Sequence, residues 1–218
     1  MMNLTRERPL DRTAAEPVKL ERNKLKKVNE TDQKKDRRVR RTRRLLNEGL
    51  MTLLLEKDVK DISVKELADY ADINRGTFYL HYKDVFDMLE KIEEDFFLDI
   101  NRILDENTLS IQNPKPIDLI SDVFYYFADH QTAVAAMLGA HGDLAFVNRI
   151  KQLIQDRIAH LWQINQMDPA QFPYFYAFII SGCIGLIESW VQSGFKENPR
   201  EMSLLAGKMV SSSLNSFV

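Results

Sequence analysis

Ile62-Ser63-Val64-Lys65-Glu66-Leu67-Ala68-Asp69-Tyr70-Ala71-Asp72-Ile73-Asn74-Arg75-Gly76-Thr77-Phe78-Tyr79-Leu80-His81-Tyr82-Lys83-Asp84 decides how the rest of the chain is read. Ser63 and Glu66 form an S-x-x-E capping box, in which each side chain satisfies the other's free backbone donor at a helix start. This predicts a short helix over Val64–Ala71 with Leu67 and Ala68 facing inward. Asp72-Ile73-Asn74 breaks it, and Asn74 is a strong N-cap for another short helix, Arg75–His81. Phe78 and Tyr82, four residues apart, fall on one face and anchor that helix. Arg75, Thr77, Tyr79, His81 and Lys83 are left on the other side.

Two short helices joined by a tight turn and packed on a longer one make a helix-turn-helix. In that arrangement the second short helix enters the DNA major groove. Arg75 can pair in bidentate fashion with guanine O6 and N7. Gly76 lets the backbone come close to a duplex. Thr77 and Tyr79 bring hydroxyls for phosphate or base contacts, and His81 and Lys83 suit phosphates. A polar surface hairpin without a ligand would show the same periodicity, so spacing alone leaves both readings open.

Upstream, Leu45, Leu46, Gly49, Leu50, Leu53 and Leu54 form one apolar stripe and predict a helix over Arg37–Glu56. Its first turns carry Arg37, Arg38, Arg40, Arg41, Arg43 and Arg44. Cations there oppose the helix dipole, which fits a ligand that supplies negative charge; a solvated basic face is the alternative. Arg43, Ser63 and Asn74 join Arg75, Gly76, Thr77, Tyr79, His81 and Lys83 as candidate DNA contacts. Residues 1–36 lack apolar periodicity and read as a disordered basic arm, with a charged helix over Leu20–Val28 as the alternative.

The charge distribution agrees. The chain has 30 Lys+Arg against 32 Asp+Glu, a net −2, yet residues 1–44 hold 16 against 7. A basic front on an acidic body points to one end meeting a polyanion. Neither Trp nor Phe occurs in residues 1–44, so a membrane-surface helix is disfavoured. The 8 Gly and 7 Pro are few and suit long helices. Cys183 is the single cysteine, which excludes an intrachain disulfide framework and points to a reducing, cytoplasmic setting. No apolar run opens the chain, so no secretory signal is expected. His81, His130, His141, His160 and Cys183 have neither catalytic nor metal-ligand spacing, so no enzyme, metal or cofactor is expected.

Downstream, Asp84 caps a long helix to about Asp105, with Val85, Met88, Leu89, Ile92, Phe96 and Ile103 on its apolar side. Pro114 and Pro116 break the chain. Helices follow over Ile117–Asp129, Gln131–Leu138 and Asp143–Asn165, interrupted by Gly139-Ala140-His141-Gly142. Phe172–Val191 is apolar enough to raise a membrane question, but Gly182, Gly185 and Glu188 argue for a buried helix in a soluble bundle. Pro199 opens the last helix at a tolerated first position. Phe124, Phe127, Met137, Phe146, Trp162, Phe175 and Phe178 line either a filled core or an effector pocket. Ala177, Ser181, Gly185 and Ser189 recur every fourth residue, a ridge of small side chains that lets another helix approach.

Ile62–Ala68 and Ala71–Asp84 closely resemble the DNA-binding domain of TetR-family regulators, over about Arg40–Ile92. The Gly76-Thr77-Phe78-Tyr79-x-His81-Tyr82-Lys83 core carries the likeness. It implies an all-helical homodimer with a helix-turn-helix domain over 37–83 and a helical effector-binding and dimerisation domain over 84–218. The family's last two helices form a four-helix dimer interface, which places Ala177, Ser181, Gly185, Ser189, Leu205 and Met209 there. The implied function is a bacterial repressor, bound to a palindromic operator and released by an effector. Two departures stand out: Asp72 occupies a turn position usually held by Gly, and Val85 one often held by a basic residue. His130-Gln131, Met137-Leu138-Gly139, Gly142-Asp143 and Phe146 also resemble a branch that includes activators of dihydroxyacetone-kinase operons. That branch implies, as the alternative, an activator whose C-terminal domain binds a kinase-like protein.

Overall fold

The computed structural model describes the backbone of residues 36–109, 116–162, 168 and 170–215, and the side chains of these except 108, 109, 116, 157–162, 214 and 215. The arm expected over 1–36, with its alternative helix, lies outside the described residues apart from Asp36. All regular structure among the described residues is helical, as the sequence reading expected.

Two units divide the chain, one ending at Leu45 and the other beginning at Leu46. Helix α1 covers residues 36–54. In the first unit, residues 36–45 expose Arg37, Arg38, Arg40, Arg41, Arg43 and Arg44. Arg40 there pairs with Asp36, one turn earlier, at 2.5 Å. The remaining elements belong to the second unit.

Within it, residues 46–54 of α1 bury Leu46, Leu50, Leu53 and Leu54. A 3-10 turn, Val59–Asp61, leads to α2 (Val64–Tyr70) and α3 (Arg75–Tyr79). Gly49 is what lets α2 pack so closely, because a Cβ there would stand 2.9 Å from Tyr70 Cδ1. Helix α4 (Val85–Leu109) is capped at its start by crossed bonds. Asp84 Oδ1 accepts from the Asp87 N–H at 2.8 Å, and Asp87 Oδ2 accepts from the Lys83 N–H at 2.9 Å. It runs four residues beyond the expected end and buries Val85, Met88, Phe96, Ile100 and Leu104. Val85, at the position the resemblance often fills with a basic residue, is buried in the core.

Five further helices complete the described chain: α5 (Pro116–Asp129), α6 (Gln131–Leu138), α7 (Leu144–Trp162), α8 (Phe172–Gln192) and α9 (Pro199–Asn215). Helix α4 packs on α5, α7 and the 3-10 turn; α5 lies along α9; α8 rests on α6 and α9. Phe96 joins α4 to α5 and α7 through ring contacts with Phe127 at 5.9 Å and Phe146 at 6.0 Å.

The α8–α9 corner shows how local chemistry and packing meet. Gly194 at φ 74 ends α8, and the Gly194 and Phe195 N–H groups return to the carbonyls of Val191 and Trp190. This is a Schellman cap, which satisfies carbonyls the helix leaves free. It stacks Phe195 edge-on against Trp190 at 4.9 Å. Trp190, fully buried, also meets Phe124 at 5.4 Å and donates its Nε1–H to the Glu197 carbonyl at 2.8 Å.

One expectation needs correction here. Helix α8 is not buried all round: Phe175, Ile180, Ile187 and Trp190 face the core, but Tyr174 and Phe178 are 80% and 68% exposed. By length and apolar composition alone, α8 is also the one helix among the described residues that could cross a membrane. Its apolar residues run round the helix, and α6 and α9 cover only part of that circumference.

Candidate nucleic-acid interface

The head of the molecule is built by short-range rules. Ser63 Oγ accepts the Glu66 N–H at 3.1 Å and starts α2. The return half of the expected box does not form, because Glu66 turns its carboxylate to Lys57 Nζ at 2.5 Å instead. Asp72 takes φ 50, the left-handed conformation that an aspartate tolerates better than most residues. The Ile73 N–H then closes the turn on the Ala68 carbonyl at 3.0 Å. Asn74 Oδ1 caps α3 by accepting the Gly76 N–H at 2.7 Å. Helix α3 is two residues shorter than expected. The N–H groups of His81 and Tyr82 both return to the Phe78 carbonyl, a tightened last turn that takes His81 out of the helix.

Phe78 and Tyr82 hold this segment down. Both are buried, their rings 5.6 Å apart, and the Tyr82 hydroxyl reaches Asn47 Oδ1 at 3.4 Å. On the outer side Arg75, Gly76, Tyr79 and Lys83 are exposed, whereas Thr77 and His81 are half-buried. Ser63 and Asn74 are exposed, with one oxygen of each committed to a cap. Arg43, in the first unit, is exposed.

Two residues on this side had no role in the sequence reading. Leu80, the C-cap of α3, is 80% exposed. Lys91, on α4, lies over the Tyr82 ring at 5.2 Å and pairs with Asp87 at 2.8 Å. That pairing, with the Lys83 N–H, holds the Asp87 carboxyl below its ordinary pKa. Periodicity could not find Lys91, because its place beside Tyr82 comes from how α4 departs from α3.

The candidate effector lining divides. Phe124, Phe127, Met137, Phe146 and Phe175 are buried, with ring contacts from Phe124 to Trp190 and from Phe127 and Phe146 to Phe96. Phe178 is exposed, and the side chain of Trp162 lies outside the described residues. Phe175 and Phe178, with Gln171 and Tyr174, border an open depression of about 250 Å³. The candidate dimer residues Ala177, Ser181, Ser189, Leu205 and Met209 are exposed and Gly185 is half-buried. A Cβ placed on Gly182 or Gly185 would meet nothing within 4 Å.

Comparison with known proteins matches residues 115–212 to the family model described as the C-terminal region of TetR-type transcriptional regulators. An uncharacterised HTH-type transcriptional regulator, YxbF of Bacillus subtilis (strain 168), is 40% identical over 50 residues. The match takes in 23% of this chain and only 13% of that relative. Among solved structures, a TetR transcriptional regulator from Streptococcus agalactiae aligns with a TM-score of 0.54 at 20% identity, covering 82% of this chain and 98% of that one. FadR from Bacillus subtilis, solved in complex with stearoyl-CoA, gives 0.61 at 15%, covering 78% and 97%. The dihydroxyacetone kinase operon activator DhaS gives 0.54 at 14%, covering 81% and 96%. Residues 115–212 thus match the C-terminal region of TetR-type transcriptional regulators, and the helical fold is shared with a TetR regulator along most of the chain.

Proposed function

We propose that the protein is a homodimeric, sequence-specific regulator of transcription that binds double-stranded DNA and acts as a repressor released by an effector. The observation that carries this is the outer side of α3: Arg75, Tyr79 and Lys83 stand exposed beside Gly76 on a segment that buried Phe78 and Tyr82 keep rigid. Residues 37–83 form the reading head, and Arg43, Ser63, Asn74, Thr77 and His81 add backbone and flanking contacts. Phosphate contacts set the register on the duplex, and Arg75 and its neighbours read base edges.

Residues 84–218 serve as the effector-binding and dimerising part. Exposed Tyr174, Ala177, Phe178, Ser181 and Ser189 on α8, with Leu205 and Met209 on α9, supply an apolar face for a second copy. The effector is a small molecule held in the C-terminal bundle, a reading supported by the neighbour solved with stearoyl-CoA. Its differential affinity for two spacings of the recognition helices is the switch. The activator alternative has a fold neighbour in DhaS, but no feature of the described residues favours a kinase-like partner. A soluble, cytoplasmic location follows from this reading.

Selection of fragments from a random DNA pool by the purified full chain tests the proposal. The expected product is a palindrome whose half-sites place recognition helices roughly 34–36 Å apart, or a multiple of that. Fragments without a common sequence would refute it.

A further inference from the structure

We infer that Leu80 is a specificity-determining residue that reads the C5-methyl group of a thymine in each half-site. The inference rests on the DNA-binding reading above and deepens it. Leu80 is 80% exposed, so little of its side chain is buried by the fold and most of it is open to a partner. Its main chain is helical, φ −71 and ψ −17, so its side chain leaves the segment one turn after that of Gly76 and on nearly the same face. At Gly76 the nearest atom to an added Cβ is Asn74 Oδ1 at 3.3 Å, itself the capping oxygen, so the space outside the glycine is open. A base edge can approach the backbone there and meet the Leu80 isobutyl group beside it.

The flanking chemistry narrows the partner. Tyr79 and Lys83 are exposed on either side in sequence, and Arg75 is exposed one turn before Tyr79. These groups donate hydrogen bonds or carry positive charge, as a duplex requires. Leu80 can do neither. Among base edges displayed in the major groove, the one apolar group is the thymine methyl. Arg75 and Leu80 therefore divide the reading, one taking a guanine and the other a thymine.

The test starts from the fragment selected by the full chain, with each thymine replaced in turn by deoxyuridine, which removes only the methyl group. For the intact protein, one replacement per half-site should weaken binding about fourfold, the worth of one buried CH₂. Leu80→Ala should bind both forms equally and lose its preference for thymine at that position. Because the side chain is exposed, Leu80→Ala should keep the melting temperature of the parent, and Leu80→Gln should behave as Leu80→Ala does. If deoxyuridine is harmless at every position, or weakens parent and Leu80→Ala alike, Leu80 reads no methyl and the inference fails while DNA binding stands. If no sequence is enriched at all, the DNA-binding reading falls and takes this one with it.

Discussion

Phe78 and Phe178 carry the same side chain at opposite ends of the proposed machinery, and they have opposite fates. Phe78 is fully buried beneath α3, packed against Tyr79 and Tyr82. Phe178 is 68% exposed on α8, one turn after exposed Tyr174. The head uses Phe78 and Tyr82 for its own rigidity and shows Arg75, Tyr79, Leu80 and Lys83 outward. The α8–α9 pair leaves aromatic and small residues outside, as a surface does when a second surface completes it. A reading head must be stiff before it meets DNA, whereas a dimer face is finished only by its partner.

Exchanging each phenylalanine for alanine puts most strain on this contrast. Phe78→Ala should cost about 3–5 kcal/mol, the range for emptying a filled aromatic core site, and should abolish a cooperative melt of the head. Phe178→Ala should leave the fold of the single chain nearly unchanged and instead shift the protein toward monomer in sedimentation as concentration falls. A monomer–dimer balance indifferent to Phe178→Ala would show that this face is not where copies meet.

The same contrast explains what could be read beforehand. Ser63, Asp72, Asn74 and Asp84 act within four residues of themselves, so their caps and turns follow from the sequence alone. One departure in the head came from a longer reach, Glu66 turning to Lys57 nine residues away. The bundle depends on partners far along the chain. The filling of Phe127 and Phe146 by Phe96, and the bare flank of α8, were not legible because composition does not say which side of a helix finds a neighbour. Aromatic residues that could line a pocket and aromatic residues that fill a core look alike until the helices are placed.

A smaller effect tests the local side of the comparison. Asp72 holds φ 50 at the turn between α2 and α3, where a β-branched residue is sterically penalised. Asp72→Val should destabilise by about 1–2 kcal/mol, and Asp72→Gly should not. Denaturant midpoints of the two variants give the answer. Equal loss in both would mean that the carboxylate, and not the backbone geometry, matters at this turn.

Glu93 tests the long-range side. Partial burial of this α4 side chain, with Asp143 and Glu90 adding repulsion that Arg149 offsets in part, pushes its carboxyl up to about 7. A folded-state value above the unfolded one means that the native chain holds this proton where the unfolded chain has lost it. Stability from this group is therefore full below the ordinary glutamate value and falls as pH rises from about 4.5 to 7. Glu93→Gln should remove that fall and stabilise the protein above pH 7 by about 1–2 kcal/mol, after allowance for solvent screening. Parallel pH–stability curves for parent and variant would contradict this.

The least change in stability is expected where the two regions touch. His141, in the turn between α6 and α7, donates Nδ1–H to Asp58 Oδ1 at 2.6 Å, and Lys60 meets the other oxygen of that carboxylate at 3.0 Å. Hydrogen bonding to His141, then to Lys60, holds the Asp58 carboxyl below its ordinary value. Its contribution is thus present above the unfolded aspartate pKa and is lost as pH drops through the lowered one. The turn that offers His141 is fixed, since a Cβ on Gly142 would run into the Met137 carbonyl. Asp58 precedes the 3-10 turn, Val59–Asp61, that leads into α2, so the bond ties the bundle to the entrance of the head. Both partners are substantially solvated, and such pairs add little to global stability. Asp58→Asn should therefore leave the melting temperature unmoved while speeding hydrogen exchange at residues 59–61 and 140–142, because local opening is governed by local bonds. Faster exchange confined to one of the two segments would mean that the contact steadies only its own loop, and that head and bundle are joined through α4 alone.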